Sequence, residues 1–141
     1  MKINFAHLCD YGTISKEGKL SVLGIFSNIN TAKLPSVHPQ MFVAFELEIP
    51  AAQVGHPIKL RIECIDQDGQ KVFGLDGAME SKVKKPAASG APPVRSAQLL
   101  QFNNTKFLRD GPHDIHFFVN DELKHTIQFV VTYRPPAPDA R

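Results

Sequence analysis

The sequence predicts an all-β fold, an immunoglobulin-like antiparallel β-sandwich of seven to eight strands. Three observations predict it. Apolar side chains recur with a period of two; no stretch of a dozen residues sustains a period of 3.6; and strand-like segments return about every 8 to 15 residues, separated by Gly, Asp and Asn turns. Two sheets with their apolar faces together would bury a phenylalanine-rich set, Phe5, Phe26, Phe45, Phe117 and Phe129.

In chain order, Ile3 to Asp10 and Lys19 to Asn28 flank Tyr11-Gly-Thr-Ile-Ser-Lys-Glu-Gly18, whose glycines and polar residues suit a hairpin turn. From Met41 to Ile49 the odd positions Met41, Val43, Phe45, Leu47 and Ile49 share one face, opposite Phe42, Ala44, Glu46 and Glu48. Ala51 to Gly55 reads as a helical turn. Ile58, Leu60, Ile62 and Cys64 alternate with Lys59, Arg61 and Glu63, and Asp66-Gln-Asp-Gly69 joins that strand to one starting near Gln70. Ala97 to Asn103 and His113 to Val119 follow. The last strand points Leu123, His125, Ile127, Phe129 and Val131 inward, which requires a three-residue loop, Asn120-Asp121-Glu122, if Val119 and Leu123 are to share the core.

A chain of 141 residues suits one domain that needs neither disulfide nor metal to hold it together. The expected body is 1–133, interrupted by a flexible, proline-rich basic loop at 81–95 and followed by a proline-rich tail at 134–141. Sixteen Lys and Arg against fourteen Asp and Glu leave +2, which gives no electrostatic reason for nucleic acid or an anionic membrane as partner. Lys82, Lys84, Lys85 and Arg95 concentrate charge on the loop, but it lacks the stacking aromatics of nucleic-acid modules and reads as a solvated segment. Met1 to Asp10 lacks the layout of a secretory signal, and no apolar run approaches the roughly 20 residues of a membrane span, so the expected location is the cytoplasm. Cys9 and Cys64 have no ligand-type spacing and read as buried free thiols, with a Cys9 to Cys64 disulfide as the alternative.

Lys2-Ile-Asn-Phe-Ala, Cys9-Asp-Tyr, Gly18-Lys-Leu-Ser-Val-Leu-Gly-Ile-Phe26, Pro35, His38-Pro39 and Met41 carry a pattern, continued by Gln98-Leu-Leu-Gln-Phe-Asn-Asn and Asp114-Ile-His-Phe-Phe-Val-Asn-Asp. It resembles an uncharacterised bacterial domain-of-unknown-function family of short cytoplasmic all-β proteins. The resemblance implies the fold and supplies no activity. The chain departs from the pattern at His113-Asp114-Ile115, where the family tends to carry Gly-Asp-Tyr, so a tyrosine hydroxyl tying this strand to backbone is lost.

Candidate chemistry is sparse. Of His7, His38, His56, His113, His116 and His125, the close pair His113 and His116 is three apart along a strand, an odd separation that puts the rings on opposite faces. A hydrogen-bonded structural role for an inward His125 outweighs metal ligation. Asp66-x-Asp68-Gly69 matches the start of a calcium loop without its remaining acids; a site recruiting Asp76, Asp110 or Asp114 is the alternative to an ordinary polar turn. Cys9 with His7 lacks an orienting carboxylate, and there is no Gly-x-Ser-x-Gly, phosphate loop or dinucleotide fingerprint. The expectation is no enzyme and no cofactor.

The anomaly is apolar residues on nominally outer faces. Phe42, Ala44, Phe118 and Val130 form a second apolar surface if their strands are neighbours, covered either by loops such as Thr31 to Pro39 or by a protein partner or second copy of the chain. The leading expectation is therefore a non-catalytic interaction or structural module, with a ligand-binding or calcium-dependent module at Asp66 to Gly69 as the alternative.

Overall fold

In a computed structural model that describes residues 1–79 and 90–137, the alternating segments form nine strands. These are β1 (Lys2–Ile14), β2 (Leu20–Ile25), β3 (Asn28–Thr31), β4 (Ser36–Ile49), β5 (Ile58–Asp66), β6 (Lys71–Met79), β7 (Val94–Phe107), β8 (Gly111–Val119) and β9 (Glu122–Tyr133). A 3₁₀ turn at Ala51–Gln53 stands where the helical turn was expected. The strands pair into a four-stranded sheet, β2-β1-β4-β7, and a five-stranded sheet, β3-β9-β8-β5-β6, packed as an immunoglobulin-like sandwich. Among the described residues only the β3 to β9 pairing is parallel. Among the described residues no helix is long and apolar enough to cross a membrane.

One strand more than expected arises because Lys19 to Asn28 is not one strand. The Phe26 N–H donates to the Leu8 carbonyl in the first sheet, and the Ser27 carbonyl accepts from the Val130 N–H in the second, both at 2.9 Å. The chain therefore changes sheets between two adjacent residues. Between the sheets the odd residues of β4 meet Ile62, Ile115 and Phe117, and the Phe45 and Phe117 rings lie edge to face at 5.3 Å.

Three local irregularities invert which side chains face inward. A bulge between Ile3 and Phe5 in the β1–β4 ladder turns Phe5 to the outer face, where it stacks on His7 at 5.7 Å, so Phe5 leaves the expected core set. Asn104 has φ 54, and beyond it Thr105 and Phe107, which continue the outer parity of Leu99 and Gln101, turn inward; Phe107 is fully buried. The strand expected to stop at Asn103 thus extends to supply a core aromatic.

The third irregularity lies in the β8–β9 hairpin. Asn120 and Asp121 have φ 50 and 67, the two left-handed residues of a type I′ turn, and Val119 pairs with Glu122. The connection is a two-residue turn, not the three-residue loop expected. Leu123 consequently pairs with outward Phe118 and is 53% exposed. The ladder then skips Lys124, so that Phe117 pairs with His125, and Phe129 and Val131 return to the core as expected.

The expected loop at 81–95 ends earlier, because Val94 and Arg95 already pair with Ile49 and Glu48; most of that segment, through residue 89, lies outside the described residues. Residues 134–137 of the expected tail are exposed and irregular, held at their start by the Arg134 N–H donating to Thr31 O at 2.8 Å; residues 138–141 lie outside the description.

Phe117 and Leu123 thus have opposite fates. Replacing Phe117 by Ala should cost about 3 to 5 kcal/mol in chemical denaturation, whereas Leu123→Ala should change stability by no more than about 0.5 kcal/mol. Equal losses would contradict the hairpin register.

Candidate functional site

The four residues singled out as an outer apolar surface are divided by the fold. Phe42 and Ala44 sit on β4 in one sheet, Phe118 and Val130 on β8 and β9 in the other, so they form no common patch. Phe42 and Ala44 are moreover buried, together with Cys9, beneath Leu20, Val22 and Leu99. Their cover is the first hairpin rather than the Thr31 to Pro39 segment. β1 pairs with β4 only as far as Cys9 and from there with β2 alone. Tyr11 meets Phe42 edge to face at 5.5 Å. Gly12 lies so close to β7 that a Cβ there would stand 2.7 Å from Leu99 Cδ1, so any larger residue would push the Leu99 side chain out of its place over Ala44. Elsewhere the outer face carries the Phe5–His7 stack and an ion-paired edge, where Lys2 and Arg95 flank Glu48 at 3.4 and 3.6 Å.

Covering Phe42 leaves other apolar groups uncovered. In the β1–β2 ladder Tyr11 pairs with Leu23 and Cys9 with Ile25. Leu23 is 67% exposed, Ile25 56% and Tyr11 50%. β2 is an edge strand, and its six residues, Leu20-Ser-Val-Leu-Gly-Ile25, carry no charge. Edge strands are ordinarily protected by charge, proline or a bulge. β2 has none of these: its Gly24, at φ 70, keeps the β1–β2 register, and only its missing Cβ makes room for the Asp10 carboxylate, whose Oδ2 would lie 2.5 Å from one. The sequence reading passed over Tyr11, Leu23 and Ile25, because β2 looks like a buried strand until its partners are known.

On the second sheet Phe118 is half-buried. Arg61 lies over its ring, Cζ 3.9 Å from the centroid, and the guanidinium pairs with Glu63 at 2.6 Å. Leu123 flanks it across the ladder. Val130 is exposed and pairs with Pro112, separated from Phe118 by the Asp114–Gln128 and His116–Thr126 pairs. This face is a mixed surface with isolated apolar points.

The Asp66 to Gly69 segment closes as a polar turn. Asp66 Oδ1 accepts from the N–H groups of Asp68 and Gln70, each at 2.9 Å. Its other oxygen lies 3.9 Å from Arg109 Nε, and Arg109 Nη1 pairs with Asp68. A guanidinium thus occupies the position between the two carboxylates that a calcium ion would need. Asp76 stands on β6 opposite Arg61, away from that turn; Asp114 on β8 pairs with Ile65 beside Asp66, yet among the described residues no three His, Cys, Asp or Glu side chains converge.

His113 and His116 do point to opposite faces: His113 is buried and His116 outward. The fully buried histidine is His113, not His125. It donates from Nδ1 to Gly111 O at 2.9 Å and lies between Phe107 and Phe129, at 5.5 and 5.2 Å between ring centres. His125 packs edge-on to Phe117 at the margin of the core, 5.9 Å away. Both cysteines are buried and free, in separate apolar clusters. Burial pushes the Cys64 thiol pKa up, with Asp114 and Asp66 adding to it, and burial followed by Asp10 does the same at Cys9. Folding therefore holds both groups protonated, stability from this source being complete below the ordinary thiol pKa of about 8.5 and falling as pH rises beyond it. At about pH 8 a disulfide reagent should leave both thiols of the folded protein unlabelled over minutes and label both in denaturant. Fast labelling of either in the native state would contradict this placement.

Among curated proteins no relative matches the chain at a significant level. Among solved structures it is similar to an immunoglobulin-like protein from Pseudomonas aeruginosa, at 14% identity and TM-score 0.45 over 92% of this chain and 94% of the other. A similarity of the same identity and TM-score is found to the Pseudomonas fluorescens alkylpurine DNA glycosylase AlkC, bound in that structure to DNA with an abasic-site analogue. The latter covers 90% of this chain, which spans only 30% of the glycosylase chain. The sequence itself matches one family over residues 4–132, nearly the whole sandwich, and the chain belongs to that family, a family of unknown function (DUF6941).

Proposed function

We propose that the chain is a non-catalytic protein-interaction module, and that its working surface is the β1–β2 ribbon. The observation that carries this reading is the exposure of Leu23 and Ile25 on an edge strand without a single charged residue. Apolar surface beside unpaired backbone donors and acceptors suits the addition of a further strand. The occupant proposed is β2 of a second copy, related by a two-fold axis. At such an axis like residues approach like, so a charged strand would repel itself, while an uncharged one gains apolar contact and backbone pairing together. Phe42 and Ala44 support the site from beneath by packing the hairpin in place.

Sedimentation equilibrium tests this. The wild-type chain should show a dimer mass at micromolar to millimolar concentration, and Leu23→Lys should return the monomer mass with an unchanged circular dichroism spectrum. Phe118→Glu, on the other sheet, should leave the dimer intact. A wild-type monomer throughout that range would refute self-pairing, and loss of the dimer in Phe118→Glu alone would move the interface to the second sheet.

A further inference from the structure

β1 leaves β4 after Cys9, and the gap this opens is a cleft of about 350 Å³ lined by Asp10, Phe26, Asn28, Ile29, Asn30 and His38. Asp10 is the first residue of β1 beyond its last partner on β4, and His38 lies in the stretch of β4 that β1 no longer pairs. His38 turns inward with Thr105, its partner beyond the left-handed Asn104, and its ring meets that of Phe26 at 5.9 Å. The third wall is β3, the outermost strand of the other sheet. There the carbonyls of Ser27 and Thr31 accept from the N–H groups of Val130 and Arg134. The alternate residues Asn28 and Asn30 therefore turn their backbone N–H and C=O groups to the free edge, beside the cleft.

The polar groups around the cleft are of both kinds. Asp10 has no ion pair among the described residues and offers two acceptor oxygens, while the β3 edge offers N–H and C=O side by side. The Asn28 amide donates to Asn30 Oδ1 at 3.0 Å and its oxygen accepts from Thr132, which leaves Asn30 Nδ2 to donate. Charge has no consistent sign here: Asp10 stands on one wall, whereas Lys33 and Arg134 adjoin Thr31 on the other. An ion of either sign meets a like charge, but a neutral ligand with several hydroxyls can donate to Asp10 and accept from the β3 edge at once. The half-buried Phe26 ring adds apolar surface for a C–H face. At about 30 Å³ for each water-sized unit, the volume holds roughly twelve non-hydrogen atoms, the size of a hexose.

We infer that this cleft is a binding site for a neutral monosaccharide, with two neighbouring hydroxyls donating to the Asp10 carboxylate, others meeting the backbone of Asn28 and Asn30, and one face of the ring against Phe26. The site does not rest on the pairing of β2 edges.

Titration of the full chain with D-glucose, D-galactose and D-mannose in turn, followed by amide chemical shifts, tests the inference. At least one of them should give saturable shifts centred on Ile29 and His38 at millimolar to tens of millimolar concentration, and glycerol, which has hydroxyls but no ring, should bind more weakly. Asp10→Ala changes an exposed side chain; with the remaining spectrum intact, it should weaken that sugar about tenfold, the loss expected for a charge-assisted hydrogen bond. Asn30→Pro removes an N–H from the free edge without touching the β9 ladder and should weaken the sugar severalfold. Absence of saturable shifts near Ile29 and His38 with all three hexoses would overturn the site. Tetramethylammonium or acetate binding at these amides more tightly than every hexose, or glycerol binding as tightly, would overturn the monosaccharide assignment, and sugar binding indifferent to both substitutions would overturn its placement.

Discussion

A strand whose side chains are apolar on both faces must be covered twice, and β4 is such a strand. Its odd residues, Met41 to Ile49, are covered by the opposing sheet, as in any sandwich. Its even residues Phe42 and Ala44 have no sheet opposite them. Burying two such side chains is worth on the order of 2 to 4 kcal/mol, enough to decide the course of a hairpin. β1 therefore leaves β4 after Cys9 and carries β2 with it, bringing Leu20, Val22 and Leu99 together over Phe42. Gly12 is the residue that permits the approach.

The consequence is a trade of one exposed surface for another. A ribbon has two faces, and turning one of them onto Phe42 and Ala44 leaves Tyr11, Leu23 and Ile25 without cover. It also ends β2 early: the chain must cross to the second sheet at Phe26–Ser27 to pair β3 with β9. The exposed edge, the crossing and the additional strand thus share a cause. The other end of the sandwich is organised differently, by charge. There Arg109 bridges the two carboxylates of the Asp66–Asp68 turn.

Strand identity was legible because a period of two survives in the sequence wherever a strand is half-buried, as in β4, β5 and most of β9. Side-chain parity was not legible where one residue inverts it. The bulge at Asn4, the left-handed Asn104 and the skipped Lys124 each move side chains across a sheet while leaving the composition of the segment unchanged. Asn120-Asp121 did carry a signal, since that pair suits a two-residue I′ turn; the demand that Leu123 face inward overrode it. The polar turn at Asp66 was legible from its residue types, whereas Arg109, forty-one positions from Asp68 along the chain, was not. Similarly, alternation marks Leu23 and Ile25 as apolar but cannot say that β2 is an edge.

The claim on which the rest depends is that the first hairpin is held by what it covers on β4 and β7. Native-state hydrogen exchange on Gly12→Val measures this directly, since a branched side chain at that position meets Leu99. The account predicts that amides of β2 and of β1 beyond Cys9 lose protection while β5, β8 and β9 keep theirs. Unchanged protection in β2, or a uniform loss across both sheets, would contradict it.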